Sequence, residues 1–226
     1  ANLLKFYLEF DRPMREELAI FDQIHLEDEA GKRVHSPWRR QELWNNDATR
    51  LTLWIHPGRI KRGVNLREQF GPVLKAGTKY TLVIDETVAS AAGERLGAEI
   101  RHNFSAASED FTRPLPQTWE LSIPRPETRD PLIVETSDSL DLALFSRYVQ
   151  VIGESGETLE IVLETDESQR RWNLAPKIPW ATGVHRLQVG SRLEDLAGNT
   201  PERVFDSDLT IEQGEKAVPW IEFRPK

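Results

Sequence analysis

The sequence predicts an all-β protein made of two tandem antiparallel β-sandwich domains, residues 1–110 and 111–226. Three observations support this prediction. Short segments of alternating or β-branched apolar residues recur along the 226-residue chain, separated by turns that contain glycine. Prolines crowd into one central stretch. The segments before and after that stretch match each other in the same order, as two copies of one domain would.

In the first half, alternation predicts a strand at residues 4–10, where Phe6, Leu8 and Phe10 share one face. Residues 50–55 and 79–84 are rich in β-branched and aromatic residues and predict two further strands. Residues 15–21 are expected to hold a helical turn at most. One core is expected from six side chains of these strands: Phe6, Leu8, Leu53, Ile55, Leu82 and Ile84.

The joint between the domains is predicted at residues 109–117, where Pro114 and Pro116 stiffen the chain. Residues 119–123 are expected to form the first strand of the second domain. Further strands are predicted at residues 158–163, 171–174, 185–189 and 204–211, with a helical turn at 141–148 and less than about a tenth of the chain in helices. The second core is expected to contain Val134, Trp172, Leu174, Leu187 and Val189.

The internal match pairs five segments of the first half with five of the second. Residues 6–14, 24–31, 53–57, 77–80 and 92–93 correspond to residues 132–140, 149–156, 172–176, 183–186 and 197–198. Two asymmetries stand out. No counterpart of residues 119–123 precedes Phe6, so we expect the first strand of the first domain to lie upstream of Ala1. Residues 59–71 form a basic insertion that the second domain lacks.

The repeat contains several recognisable motifs. In the first of them, an apolar strand ends at Phe10 and is followed closely by Pro13-Met14. A Gly77-Thr78-Lys79-Tyr80 strand follows, and an acidic turn at residues 193–199 closes with Ala197-Gly198. These motifs resemble the bacterial immunoglobulin-like domain of the S-layer-protein type, in two copies that cover nearly the whole chain. The resemblance implies two immunoglobulin-like sandwiches. It also implies a spacer or binding module of an exported protein, periplasmic or on the cell surface, whose signal sequence is not in this chain.

Composition narrows the classes of partner. The net charge of −8 argues against nucleic acid as the main partner. This charge is distributed unevenly between the two predicted domains. Residues 1–110 hold 16 basic and 17 acidic residues, whereas residues 111–226 hold 13 and 20. No apolar run approaches the roughly 18–20 residues of a membrane span, so none is predicted in this chain. The absence of cysteine excludes disulfides, thiolate zinc sites and cysteine nucleophiles.

The sequence predicts no catalytic residue, no cofactor and no metal site. It lacks the nucleophile-elbow, phosphate-loop and dinucleotide motifs, and its five histidines are scattered. The turn at residues 194–199 offers oxygens to Ca²⁺, but Asp195 and Asn199 are expected to bond to their own turn instead. We therefore predict a binding protein rather than an enzyme. The alternative from another class is an enzyme of unfamiliar type with a site at the domain junction.

The basic insertion is the first candidate binding site. Its positive charge comes from Arg59, Lys61, Arg62 and Arg67. The apolar residues between these cations favour an extended loop whose apolar side chains are covered by another surface. We expect this loop to dock on its own domain or on the acidic second domain. An acidic ligand or a partner protein is the alternative.

A glycan platform is the second candidate, because the C–H face of a sugar stacks on an indole ring. Among the seven tryptophans, Trp38 and Trp44 are expected to be the more exposed ones. They equally suit a structural role in covering a sheet edge or a domain seam.

Overall fold

The computed structural model describes residues 2–207 and 218–226. Strands take up 32% of the residues and helices 11%, and the paired strands are antiparallel. The all-β prediction is confirmed, with slightly more helix than the tenth expected. The chain divides into two compact units, Ala1–Asp110 (unit 1) and Phe111–Lys226 (unit 2).

Unit 1 contains two sheets. The strands among its described residues are β1 (Lys5–Glu9), β2 (Ile24–Asp28), β3 (Arg50–Trp54), β4 (Lys79–Ile84) and β5 (Ile100–Ser105). One sheet pairs β1 with β3, and the other has the order β2-β4-β5. Three short helices lie in the connections: α1 (Ile20–Gln23), α2 (Pro57–Ile60) and α3 (Asn65–Phe70).

The core of unit 1 draws on both of its sheets. From the six side chains predicted to form it, Leu8, Leu53, Ile55, Leu82 and Ile84 are buried. Phe6 is only partly buried. Its ring contacts that of Phe104 on β5, with the centroids 5.3 Å apart, and so links the two-stranded sheet to the three-stranded one.

The described residues of unit 2 also form two sheets. Its described strands are β6 (Glu120–Ser122), β7 (Leu132–Glu135), β8 (Val149–Ile152), β9 (Ile161–Thr165), β10 (Arg171–Pro176), β11 (His185–Val189) and β12 (Trp220–Phe223). Their orders are β6-β7-β10-β9 and β12-β11-β8. Helix α4 (Leu142–Tyr148) is capped at its N-terminus by Asp141, whose carboxylate accepts the N–H of Leu144 (3.0 Å).

The core of unit 2 lies between its sheets, and its five predicted members are all buried. At its centre the rings of Phe145, from α4, and Trp172, from β10, stack with centroids 3.8 Å apart. Leu187 and Val189 of the opposite sheet belong to the same apolar cluster. Truncating a side chain of this kind costs roughly 2–5 kcal/mol, so this cluster dominates the stability of unit 2.

Several predicted elements are displaced or incomplete. The helical turn expected at residues 15–21 lies at Ile20–Gln23, and the strand expected at 158–163 lies at Ile161–Thr165. Of the strand predicted at residues 204–211, residues 204–207 are not in a strand and 208–211 lie outside the described residues. Strands β2, β5, β7, β8 and β12 and helices α2 and α3 were not predicted as such, although the internal match had singled out the segments that contain β2, β7 and β8.

Candidate functional site

The basic insertion forms two helices, so the expectation of an extended loop is wrong. Pro57 occupies the start of α2, where its missing N–H costs nothing, and Nδ1 of His56 accepts the N–H of Gly58 (3.1 Å). Helix α3 ends at Gly71, whose φ of +71° suits glycine. The Gly71 N–H donates to the carbonyl of Arg67 (2.8 Å). Each helix is too short to show helical periodicity in the sequence.

Arg59 is buried within unit 1, with 6% of its surface exposed. Its guanidinium donates to the carbonyls of Gly71 (2.9 Å) and His35, and more weakly to those of Phe70 and Pro72 (both 3.4 Å). Burial lowers the pKa of the guanidinium from its usual value. The side chain therefore ties both ends of the insertion to the segment that contains His35.

Arg67 is also bound inside unit 1. It donates to the carbonyl of Ile60 and forms an ion pair with Glu109 (2.5 Å) in which both side chains are largely buried. Of the other two predicted basic residues, Lys61 is partly buried and Arg62 is exposed. Two of the four cations thus support the insertion, and the four do not share one exposed patch.

The apolar residues of the insertion are covered to different degrees. Ile60 is buried, Val64 and Leu66 are partly buried, and Phe70 is 46% exposed. The Phe70 ring lies 5.4 Å from that of His35, between centroids. These residues of the insertion are thus packed within their own unit, which is one of the two docking partners expected from the sequence.

Trp38 and Trp44 do not form an exposed platform. Trp38 is 5% exposed, and its indole N–H donates to the carbonyl of Ile24 (2.8 Å), so its expected exposure is wrong. Its ring meets that of Phe6 edge-on at 5.9 Å and fills the core of unit 1. Trp44 is partly buried against Phe10, with centroids 6.0 Å apart. Core packing therefore uses the ring faces that a sugar would need.

The outer face of the β2-β4-β5 sheet carries a charged cluster. The Glu27 side chain, 17% exposed, accepts hydrogen bonds from Arg101 and from Nε2 of His25 (3.2 Å). The hydrogen bond from Arg101, which has the larger effect, and the one from His25 lower the pKa of Glu27 below its usual value. Arg101 also bonds to Glu99 (2.8 Å). The charges of the cluster are thus satisfied among themselves.

A cavity of about 500 Å³ opens beside this cluster. Polar side chains dominate its lining, which includes Glu27, Lys79, Thr81, Arg101, Asn103 and Ser105. Thr81 donates to the amide oxygen of Asn103 (2.8 Å), so these polar groups also bond to each other. The cavity is polar and shallow rather than an enclosed apolar pocket of the kind that holds a small ligand.

The β12-β11-β8 sheet of unit 2 presents a different outer face. We call it the Trp220 face and define it by five exposed side chains: Gln150, Arg186, Gln188, Trp220 and Glu222. Cross-strand register places Trp220 opposite Gln188, and Gln188 opposite Gln150. Arg186 lies opposite Glu222. Because side chains alternate along a strand, the neighbours of these residues, such as Leu187 and Phe223, point into the core.

Trp220 is the one strongly exposed tryptophan of the seven, with 47% of its surface accessible. The Arg186 guanidinium lies over its ring, 5.9 Å from the centroid, and is held there by Glu222 (3.0 Å). The alternation of Trp220 and Glu222 with the apolar Ile221 and Phe223 is the signal that could have revealed this strand.

The acidic turn of unit 2 binds its own backbone. Oδ1 of Asp195 accepts the N–H groups of Ala197 (2.8 Å) and Asn199 (2.9 Å), and the Asn199 amide donates to Oδ2 (2.8 Å). This confirms the expected self-bonded turn. Over residues 2–207 and 218–226, no group of three or more histidine and acidic side chains is placed to hold a metal ion.

Comparison with known proteins gives no relative: neither a family model nor a curated protein sequence matches the chain. The immunoglobulin-like assignment therefore rests on the sequence motifs. Within the part of the chain that the structure describes, no helix is long and apolar enough to cross a membrane.

Proposed function

We propose that the protein is a non-catalytic binding module of an exported or cell-surface bacterial protein, built from two copies of an immunoglobulin-like sandwich. The observation that carries the binding role is the exposure of Trp220 on a regular sheet face. A large indole that is half exposed gains free energy when a partner covers it, which is why tryptophan is enriched in binding surfaces.

The pairing of the strands supports the two-copy proposal. In unit 1, β1 pairs with β3, and β4 lies between β2 and β5. In unit 2, β7 pairs with β10, and β11 lies between β8 and β12. The order of these strands along the chain is the same in both units. Unit 2 adds β6 and β9 at the two edges of its larger sheet.

Two isolated backbone bridges also recur at matching positions. One joins the segment after the first strand, β1 or β7, to the segment after β4 or β11, and the other closes the turn after β2 or β8. The bridges are Met14 to Ser90 and Leu140 to Asp195 for the first kind, and Glu27 to Arg33 and Ile152 to Thr158 for the second. The recurrence of both bridges supports the proposal that the two units follow the same chain path.

The binding role belongs to unit 2 in this proposal. In this proposal Ile24 of β2 corresponds to Val149 of β8, so strand pairing makes Arg101 the counterpart of Trp220 and Val83 the counterpart of Gln188. This register differs by one residue from the sequence match of residues 77–80 with residues 183–186. Arg101 is occupied by Glu27 and Glu99, and Val83 is fully buried. Unit 1 thus uses this face for its own stability, whereas unit 2 leaves it accessible.

Co-sedimentation of the full chain with purified bacterial cell envelopes tests the proposal. We expect saturable binding that the Trp220→Ala variant weakens, with no soluble fragments released from the envelopes. Trp54→Ala is the matched control, because Trp54 is also a strand tryptophan with a guanidinium, that of Arg39, over its ring at 5.6 Å. Absence of saturable binding, or release of soluble fragments in proportion to added protein, would contradict the proposal.

A further inference from the structure

We infer that the Trp220 face binds a neutral oligosaccharide. The inference rests on the proposed binding role and names the ligand class of that site. Three properties of the face carry it: the row in which its side chains lie, the hydrogen-bonding groups that they offer, and their balance of charge.

The first property is the row formed by Trp220, Gln188 and Gln150. Each residue lies directly opposite the next on neighbouring antiparallel strands. Adjacent strands are separated by just under 5 Å, so the row extends for about 10 Å across the sheet. A sheet offers such a row without a pocket, and an extended chain of sugar rings can lie along it.

The second property is chemical. An indole ring presents an apolar face to the C–H groups on one side of a sugar ring. Each glutamine amide carries a carbonyl acceptor and two N–H donors, which suits hydroxyl groups that both donate and accept. One stacking ring followed by two amides therefore matches a ligand with apolar ring faces and hydroxyl edges.

The third property is the absence of net charge. Gln150, Gln188 and Trp220 are neutral, and the charges of Arg186 and Glu222 cancel in one ion pair. These five side chains provide no uncompensated cation for an acidic polymer. The face therefore suits a neutral ligand, and the Arg186 guanidinium over the indole ring favours the orientation in which that ring lies.

The experiment is affinity electrophoresis of the full chain in gels that contain a neutral polysaccharide, using soluble cellulose derivatives, xylan, glucomannan and β-1,3-glucan in turn. Calorimetry with the oligosaccharide of the polymer that retards the protein then gives the dissociation constant. We expect Trp220→Ala to weaken this binding by about tenfold or more. Gln188→Ala and Gln150→Ala should each weaken it by a few-fold, and Trp54→Ala should leave it unchanged.

Salt separates a neutral ligand from a charged one. Binding to a neutral glycan should stay constant between about 0.05 and 0.5 M salt, because no ion pair with the ligand is formed. A steep fall with salt, retardation by none of the polymers, or equal binding by the Trp220→Ala variant would overturn the inference. The inference would also be overturned if protease treatment of the envelopes abolished their Trp220-dependent binding of the protein. In that case the proposed binding role would still hold, but the partner would be a protein.

Discussion

Three charged residues that are buried or partly buried, Arg59, Arg67 and Glu27, are bound by groups of their own unit. Arg59 donates to backbone carbonyls alone, whereas Glu27 is held between Arg101 and His25. A buried group of this kind is costly to leave without a partner, so its neighbours matter more than its charge. The sequence shows the charge of such a residue but not its burial, and for this reason Arg59 looked like a ligand-binding residue.

Replacing Glu27 by Gln tests the charged cluster of unit 1. Because the folded-state pKa of Glu27 is lowered, its ionised form stabilises the fold above the ordinary carboxylate range, and this contribution disappears as the pH falls through the lowered pKa. We expect Glu27→Gln to reduce the free energy of unfolding by about 1 kcal/mol near neutral pH. The difference from the native chain should vanish in strong acid.

Urea denaturation of both proteins between about pH 7 and pH 2 measures this difference. Glu99→Gln serves as the control, since Glu99 binds the same Arg101 but is more exposed, and we expect a smaller effect from it. A difference between native and Glu27→Gln proteins that stays constant over the whole pH range would show that Glu27 does not act through its charge.

At the scale of elements, the sequence predicted some of the strands that have one face in a core, such as β1, β4 and β11, and missed others, such as β2 and β8. Alternation in β1 and the β-branched and aromatic residues of β3 and β4 gave strong signals, and ten of the eleven predicted core side chains are buried. Strand β5 is an edge strand whose side chains are almost all exposed, so its apolar pattern is weak. Helices α2 and α3 escaped prediction because a single turn contains no repeat of the helical period.

Removing the insertion tests whether it stabilises unit 1 without being required for the strands of that unit to form. We expect a chain in which a short Gly-Ser turn replaces residues 59–71 to keep its strand content, because unit 2 joins the corresponding strands by a short connection. Its unit 1 should lose roughly 2–4 kcal/mol of stability, since the burial of Ile60 and the hydrogen bonds of Arg59 are lost.

Circular dichroism and urea denaturation check both parts of this prediction. Glu68→Ala, which changes an exposed residue of α3, is the control and should leave stability within about 0.5 kcal/mol. Loss of the β-sheet spectrum in the shortened chain would show that the insertion is needed to form unit 1 and is not an addition to it.

At the scale of the whole molecule, the division at Asp110 and Phe111 separates two cores that each draw on two sheets. We expect residues 1–110 and 111–226, produced as separate proteins, each to unfold cooperatively, because each keeps its own buried apolar cluster. Calorimetry of the two pieces and of the full chain measures this. A piece that shows no unfolding transition would contradict the prediction.

The two units connect equivalent strands in different ways, and this difference has a practical consequence for protein engineering. Unit 1 joins β3 to β4 through two helices, whereas unit 2 joins β10 to β11 through residues 177–184 alone. The shorter connection is therefore a suitable position for displaying a foreign peptide, since the same strand pair carries a longer segment in unit 1. Trp180 has to be retained in any such chimera, because its buried indole donates to the carbonyl of Asp130 (2.8 Å). The exposed residues Ala181 and Thr182 that follow it are where the epitope would be grafted.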